Sequence, residues 1–498
     1  MPKNVLGERA ASAPLAAARP RWWQSLALFG PAFVASIAYV DPGNVAANLT
    51  SGAQYGYLLV WVLVLANGMA VLIQYQSAKL GIVTGRTLPE HVGSRARPWT
   101  RRAYWLQAEL VAAATDIAEV IGGALALNLL FGLPLVLGGL VVGLVSMGLL
   151  LVQSARRQRS FEFVIMAFLA VIAVGFLAGV FVSQVDWLAA ADGLVPRFEG
   201  TPTVLLAASM LGATVMPHAI YLHSALARDR HHAAFAAHAE KTDFTRPATD
   251  AAAPQVKAVH AGPAVAAGPG AAGQDAGNPD SPDPDAVDPD ATGPARIPGP
   301  EHPRARTHGA SPDRLRALLR ATRADVVVAL VLAGAVNIAM LLLAASSLRG
   351  VDGTDTIPGA YAAIQSALGP VIATIFAVGL LASGLASTSV GAYAGSVIMK
   401  GLLRIRVPLL ARRIVTLIPA LAVLAAGIDP TWALVLSQVL LSVGIPFALI
   451  PLIRLTGDRA LMGEYADRMP VRILAWTVVA LIVALNGVLI VLAIGGAG

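Results

Sequence analysis

The chain contains no cysteine in its 498 residues, which excludes a disulfide framework, thiolate zinc sites and redox chemistry at sulfur. Charge is also scarce. Asp, Glu, Lys and Arg together make up 13% of the chain, against roughly 25% in an ordinary soluble domain. Polar stretches long enough to separate soluble domains are missing over most of the length. Instead, 56% of the residues are hydrophobic and the mean hydropathy is +0.68. Apolar runs of the roughly 20 residues that cross a bilayer recur along the chain. The expected class is therefore an all-α polytopic membrane protein, with the lipid bilayer as its partner.

Eleven candidate spans begin near Leu28, Tyr57, Tyr104, Leu133, Phe161, Thr203, Val326, Val371, Ile414, Trp432 and Ile473. No cleavable signal peptide is expected, because Arg19 and Arg21 precede a first run that continues to spanning length. With the N-terminus in the cytoplasm, the outer loops are Ser51–Gly56, Gly132–Pro134, Gln184–Thr201, Leu348–Pro370 and Gly427–Pro430. Of 36 Lys and Arg residues, only Arg197 and Arg349 fall there. This asymmetry is the positive-inside pattern, and it puts the C-terminus outside. It also accounts for the net charge of +7 without any nucleic acid. The expected location is the cytoplasmic (inner) membrane.

The expected organisation is a cytoplasmic tail over 1–27, the first repeat and span 6 over 28–227, a linker over 228–323, and the remaining spans over 324–498. The linker is rich in Ala, Pro, Gly and Asp, for example PDSPDPDAVDPD at Pro279–Asp290. It has no aromatic residue after Phe244, too little to build a core, so disorder is expected. It carries six of the nine histidines, including His231, His232 and His238. They are scattered without ligand spacing, so a solvated linker is favoured over a metal-binding loop.

Two spans are interrupted. Span 1 contains Asp41 followed by Pro42 and Gly43, within ASIAYVDPGNVAANL at Ala35–Leu49. Proline cannot donate to the carbonyl of Ala38, and it pushes Asp41 out of helical geometry. Local unwinding should turn Asp41 and Asn44 toward the gap. Span 6 repeats the device in LGATVMPHAIYLHS, Leu211–Ser224, where Pro217 frees the carbonyl of Ala213 beside Met216. Non-helical backbone at membrane depth survives only when buried in protein or lining a cavity. Breaks in the first and sixth spans suggest two five-helix repeats of opposite topology, with a substrate site near the midplane. The donors on offer are a carboxylate, an amide oxygen, a free carbonyl and a thioether. Mg²⁺ and Ca²⁺ prefer all-oxygen shells, whereas a thioether favours softer divalents such as Mn²⁺ and Fe²⁺.

DPGN at Asp41–Asn44 with MPHAIYLHS at Met216–Ser224 resembles the natural resistance-associated macrophage protein (Nramp) family of proton-coupled divalent metal transporters, and most of all its bacterial manganese transporters. ATDIAEVIG at Ala114–Gly122, LASTSVGAYAG at Leu385–Gly395 and SQVLLSVGIPFALIPL at Ser437–Leu452 match in order. The resemblance covers about Trp22–Ala227 and Ala324 to the end. It implies the LeuT-like inverted-repeat fold. It also implies metal ligation by Asp41, Asn44, the Ala213 carbonyl and Met216, with Gln438 joining in some conformations. The chain departs from the family in a longer loop after span 6, and in Ala-Ser-Thr-Ser where a glutamine-containing version is common.

Span 3 places Glu109, Asp116 and Glu119 along one side of a helix. Carboxylates inside a membrane pair or face a polar interior, and Arg412 and Arg413 at the start of span 9 are candidate partners. His218 lies close to Met216 and belongs to the residue type that changes charge near neutral pH. A zinc pair of His218 and His223 is disfavoured, because a five-residue step turns a helix by about 140°. The resemblance assigns Asp116, Glu119, Arg412 and Arg413 to proton release toward the cytoplasm.

The expected function is a symporter importing Mn²⁺, and also Fe²⁺, with H⁺. No cofactor and no obligate protein partner are expected. Alternatives are a Mg²⁺, other-cation or amino-acid carrier on the same fold, or a membrane-anchored metal sensor using the histidine-bearing loop. An intramembrane metalloenzyme is disfavoured, because the chain lacks HExxH and any catalytically spaced histidine pair.

Overall fold

The structure is a computed structural model that describes residues 30–152, 158–243, 312–405 and 408–495. Among these residues there is no strand, and helices account for every long element. Span 1 consists of Pro31–Ser36, the 3₁₀ turn Ile37–Val40 and Pro42–Tyr55. Spans 2 to 5 are Val60–Thr84, Pro98–Phe131, Leu135–Val152 and Gln158–Val182. Span 6 is Thr201–Thr214 followed by Pro217–Asp243. Spans 7 to 11 are Pro312–Ser347, Pro370–Leu402, Leu409–Ala425, Pro430–Thr456 and Met469–Gly495. Eight of these elements are long and apolar enough to cross a bilayer. Spans 1, 4 and 9, each broken or shorter, bring the helical segments to the expected eleven.

Their packing reveals the repeat. Span 1 packs on spans 5 and 7, and span 6 correspondingly on spans 10 and 2. Span 3 packs on spans 4, 9 and 10, and span 8 on spans 9, 4 and 5. Span 5 packs on span 7, and span 10 on span 2. Adding five to each member of these pairs gives its mate, while the pairs 1–6, 2–7, 3–8 and 4–9 map onto themselves. Each repeat has an odd number of crossings, so the second must run opposite to the first. Span 11 stands outside the repeat and clips onto span 10, where the Ser442 hydroxyl and carbonyl bond the Asn486 amide at 3.0 and 2.9 Å.

Helix boundaries follow the local chemistry. Proline opens spans 1, 3, 7, 8 and 10 at positions that need no N–H partner. The connection after span 2 contains a short helix, Leu88–Arg95, that the hydropathy reading passes over. Its start is a capping box, with the Thr87 hydroxyl accepting from the Glu90 N–H and the Glu90 carboxylate accepting from the Thr87 N–H. Further short helices, Trp187–Asp192 and Ile357–Leu368, lie within the expected outer loops.

The chain separates into two compact units, one comprising 1–235 and 307–498 and carrying every span, the other 236–306. Of the second unit only the end of the helix Pro217–Asp243 is described. The linker expected over 228–323 is therefore shorter at both flanks: 228–243 and 312–323 are helical. Alanine and arginine are the commonest residues of these flanks, and their high helix propensity extends the apolar spans. The remaining linker, 244–311, and the tail expected over 1–27 lie outside the described residues.

Candidate metal site

The break in span 1 is confined to a single residue. Asp41 is extended, with φ −71 and ψ 167, and it caps the helix that Pro42 restarts, accepting from the Asn44 N–H at 2.9 Å. The two carbonyls left over at the end of the 3₁₀ turn are answered from other spans. Asn337 of span 7 donates to Tyr39 at 2.7 Å, and Ser383 of span 8 donates to Val40 at 2.6 Å. In span 6 the break falls at Val215, with φ −108 and ψ 68, and Met216, after which Pro217 reopens the helix.

The two breaks meet. The Asn44 side-chain amide donates to Asp41 Oδ1 at 2.7 Å and to the freed Ala213 carbonyl at 2.8 Å. Gln438 of span 10 donates to Asp41 Oδ2 at 3.2 Å. Span 10 comes this close because position 43 is glycine: a methyl group there would overlap the Gln438 side chain. Asp41, Asn44, Ala213, Met216 and Gln438 are all wholly buried. Asn44 Oδ1 and Gln438 Oε1 lack a hydrogen-bond partner, and Asp41 has no cationic side chain paired to it among the described residues. Among those residues no group of three or more His, Asp or Glu side chains converges as a conventional metal cage. The cluster instead combines one carboxylate with amides, a carbonyl and a thioether. It is rich in oxygen acceptors and short of positive charge.

Beside it, Glu109 and Asp116 of span 3 meet the arginines of span 9. Arg412 contacts Glu109 at 3.1 Å and Asp116 at 3.5 Å, and Arg413 contacts Asp116 at 3.7 Å while donating to Ser146 of span 4 at 3.0 Å. Glu119, one turn further, is buried with them. Gly391 and Gly395 of span 8 make room: added methyl groups would meet the Asp116 and Glu119 carboxylates and the Arg412 guanidinium respectively. Thr115 hydrogen-bonds His218 Nδ1 at 3.5 Å, linking span 3 to the restarted half of span 6. His223 instead bonds Gln74 of span 2 at 2.8 Å, so the two histidines face different spans, as their spacing requires.

The family profile described as natural resistance-associated macrophage protein-like matches residues 32–253 and 302–492. The chain belongs to the Nramp family. It is 51% identical over 469 residues to the divalent metal cation transporter MntH of Mycobacterium tuberculosis, covering 94% of this chain and 92% of that one. It is 38% identical over 501 residues to MntH of Deinococcus radiodurans, covering 99% and 97%. Crystal structures of the Eremococcus coleocola manganese transporter superpose with a TM-score of 0.71 at 26% identity, in one case over 97% of this chain and 91% of that one. Nramp membership makes the chain a membrane transport protein and not an enzyme.

Several polar residues at the heart of this Nramp chain escape sequence reading. Asn337 and Ser383 hold the broken end of span 1, Asn48 donates to Asn337 at 3.2 Å, and Gln74 donates to the Tyr39 hydroxyl at 2.5 Å. Asn337 carried a usable signal, being an amide inside an otherwise apolar run. Ser383 did not, because serine is common in spans.

Proposed function

We propose that the chain is a proton-coupled symporter that imports divalent transition metals, Mn²⁺ foremost and Fe²⁺ as well. The observation that carries this reading is the Asn44 amide, positioned between the Asp41 carboxylate and the freed Ala213 carbonyl. One donor serves two acceptors from two different breaks, as a cation would. A half-turn of that amide brings Asn44 Oδ1 to the same point, and the ligand set becomes Asp41, Asn44, the Ala213 carbonyl and Met216, with Gln438 joining as span 10 moves. The thioether of Met216 favours softer divalents over Mg²⁺ and Ca²⁺. The relatives named as divalent metal cation transporters and as a manganese transporter support the same substrate class.

In this reading His218, Glu109, Asp116, Glu119, Arg412 and Arg413 carry the proton. The route runs from the metal site through the contact of His218 with Thr115 to the carboxylates on span 3, and the arginines balance their charge. The N-terminus lies in the cytoplasm and the C-terminus outside the inner membrane. The segment between spans 6 and 7 is a cytoplasmic linker. Each elementary charge moved inward gains about 2.3 kcal/mol per 100 mV, so the membrane potential drives uptake of a dication with protons. The test is Mn²⁺ uptake by liposomes containing the purified protein. An acid-outside gradient should accelerate uptake, and Mn²⁺ should acidify the lumen. Metal entry with no proton movement would refute the coupling, and no metal entry would refute the carrier.

A further inference from the structure

Where spans 2 and 8 end, the chain builds a cavity of about 290 Å³ lined by Arg86, Glu90, Ser94, Lys400, Gly401 and Arg404. It is open to solvent: Arg86, Ser94, Lys400 and Arg404 are exposed, and Glu90 is partly buried. Its walls come from three elements: Arg86 follows span 2, Glu90 and Ser94 lie on the helix Leu88–Arg95, and Lys400 and Arg404 sit at the end of span 8. The floor is tightly packed, because Gly93 lies against the Gly401 carbonyl with no space for a methyl group.

The charge balance of these walls is positive. Their one carboxylate is already engaged: Glu90 accepts from the Thr87 N–H at 2.9 Å and from Arg228 of span 6 at 2.9 and 3.0 Å. Burial pushes the Glu90 carboxyl up, but the Thr87 N–H, Arg228 and Lys400 outweigh it and hold it below its ordinary value. Neighbouring His91 is driven down to about 4, by burial first and then by Arg86 and Arg95. No salt bridge among the described residues engages Arg86, Lys400 or Arg404. Arg404 is also the one non-glycine described residue with positive φ, at 60°. Glycine adopts that conformation without strain after a helix end. A long cationic side chain held there points to a role for the side chain itself.

We infer that this cavity binds a phosphate group, and that in the membrane the phosphate belongs to the headgroup of an anionic phospholipid. Two guanidinium forks and one ammonium match phosphate oxygens. Trp99, 70% exposed at the start of span 3 just after this helix, is a residue type that settles at headgroup level. Basic pockets between spanning helices hold such headgroups. Through Glu90 the cavity also touches Arg228 on span 6, so occupancy should stiffen the end of the span that carries Met216.

Full-length protein in neutral detergent would be titrated with short-chain phosphatidylglycerol, short-chain phosphatidylcholine and inorganic phosphate, reading both heat of binding and unfolding temperature. Phosphatidylglycerol should bind saturably and raise the unfolding temperature, and phosphatidylcholine should not compete with it. Lys400→Gln combined with Arg404→Asn, asparagine being tolerant of positive φ, should weaken binding about 25-fold, at roughly fivefold per cation lost. Metal uptake in neutral vesicles should stay near wild type. Arg86→Gln, on the opposite wall, should weaken binding about fivefold and gives an independent reading. Inorganic phosphate binding as tightly as the lipid would assign the site to free phosphate and overturn the headgroup. Absence of binding by either, or an equal loss in a control Arg468→Gln/Arg472→Gln, would overturn the site.

Discussion

At the scale of single residues, Asp41 is the buried carboxylate that caps the restarted half of span 1 at the paired breaks. Asp41→Asn should abolish Mn²⁺ uptake while leaving the protein inserted, because an amide does not offset the dehydration of a dication as a carboxylate does. Uptake near the wild-type rate would remove Asp41 from the site. Met216→Ala tests selectivity. Oxygen ligands and water still serve Mn²⁺, but the donor that hard ions gain little from is gone, so the ratio of Mn²⁺ to Ca²⁺ uptake should fall. An unchanged ratio would reduce Met216 to packing beside Pro217. Both residues were legible in the sequence for one reason. A proline inside an apolar run opens the helix at the residue before it, and here that residue is a carboxylate or a thioether able to hold a cation. Ser383 was not legible, and Asn337 stood out only as an amide in an apolar run with no sign of its partner, since hydrogen bonds across hundreds of residues leave no local pattern.

At the scale of elements, spans 3 and 9 form one electrostatic unit wedged against the glycines of span 8. Asp116→Asn should flatten the pH dependence of uptake more than it weakens metal affinity, since Asp116 contacts both arginines but none of the proposed ligands. Equal loss of affinity and of pH dependence would bring it into the metal shell. Asn337→Ala addresses the broken end of span 1. It strands the Tyr39 carbonyl and the Asn48 amide in a buried place, so it should cost about 1–3 kcal/mol and lower the unfolding temperature in detergent. An unaltered unfolding temperature would mean that water answers the Tyr39 carbonyl. Span identity and number were legible because hydropathy is a local, additive property. Helix ends were less so: spans 6 and 7 run on through alanine-rich and charged turns that hydropathy discounts but helix propensity favours.

At the scale of the whole molecule, the family profile passes over 254–301 without matching it. Deleting that stretch should leave Mn²⁺ uptake within about twofold, since loop length costs little; loss of activity in an inserted deletion protein would make the segment regulatory. The way span 1 is secured also has a consequence for biosynthesis. Its broken backbone is answered by Asn337 bonding Tyr39, 298 residues later in the chain, and by Ser383 bonding Val40 across 343 residues. At 5–20 residues per second, the ribosome reaches Ser383 about 17–70 seconds after Val40. Throughout that interval the span carries a carboxylate and two unanswered carbonyls into hydrocarbon with no protein yet made to receive them. A nascent chain stalled before span 6 should therefore hold span 1 loosely, near the insertion machinery or the interface, and commit it to the bilayer only after the second repeat emerges.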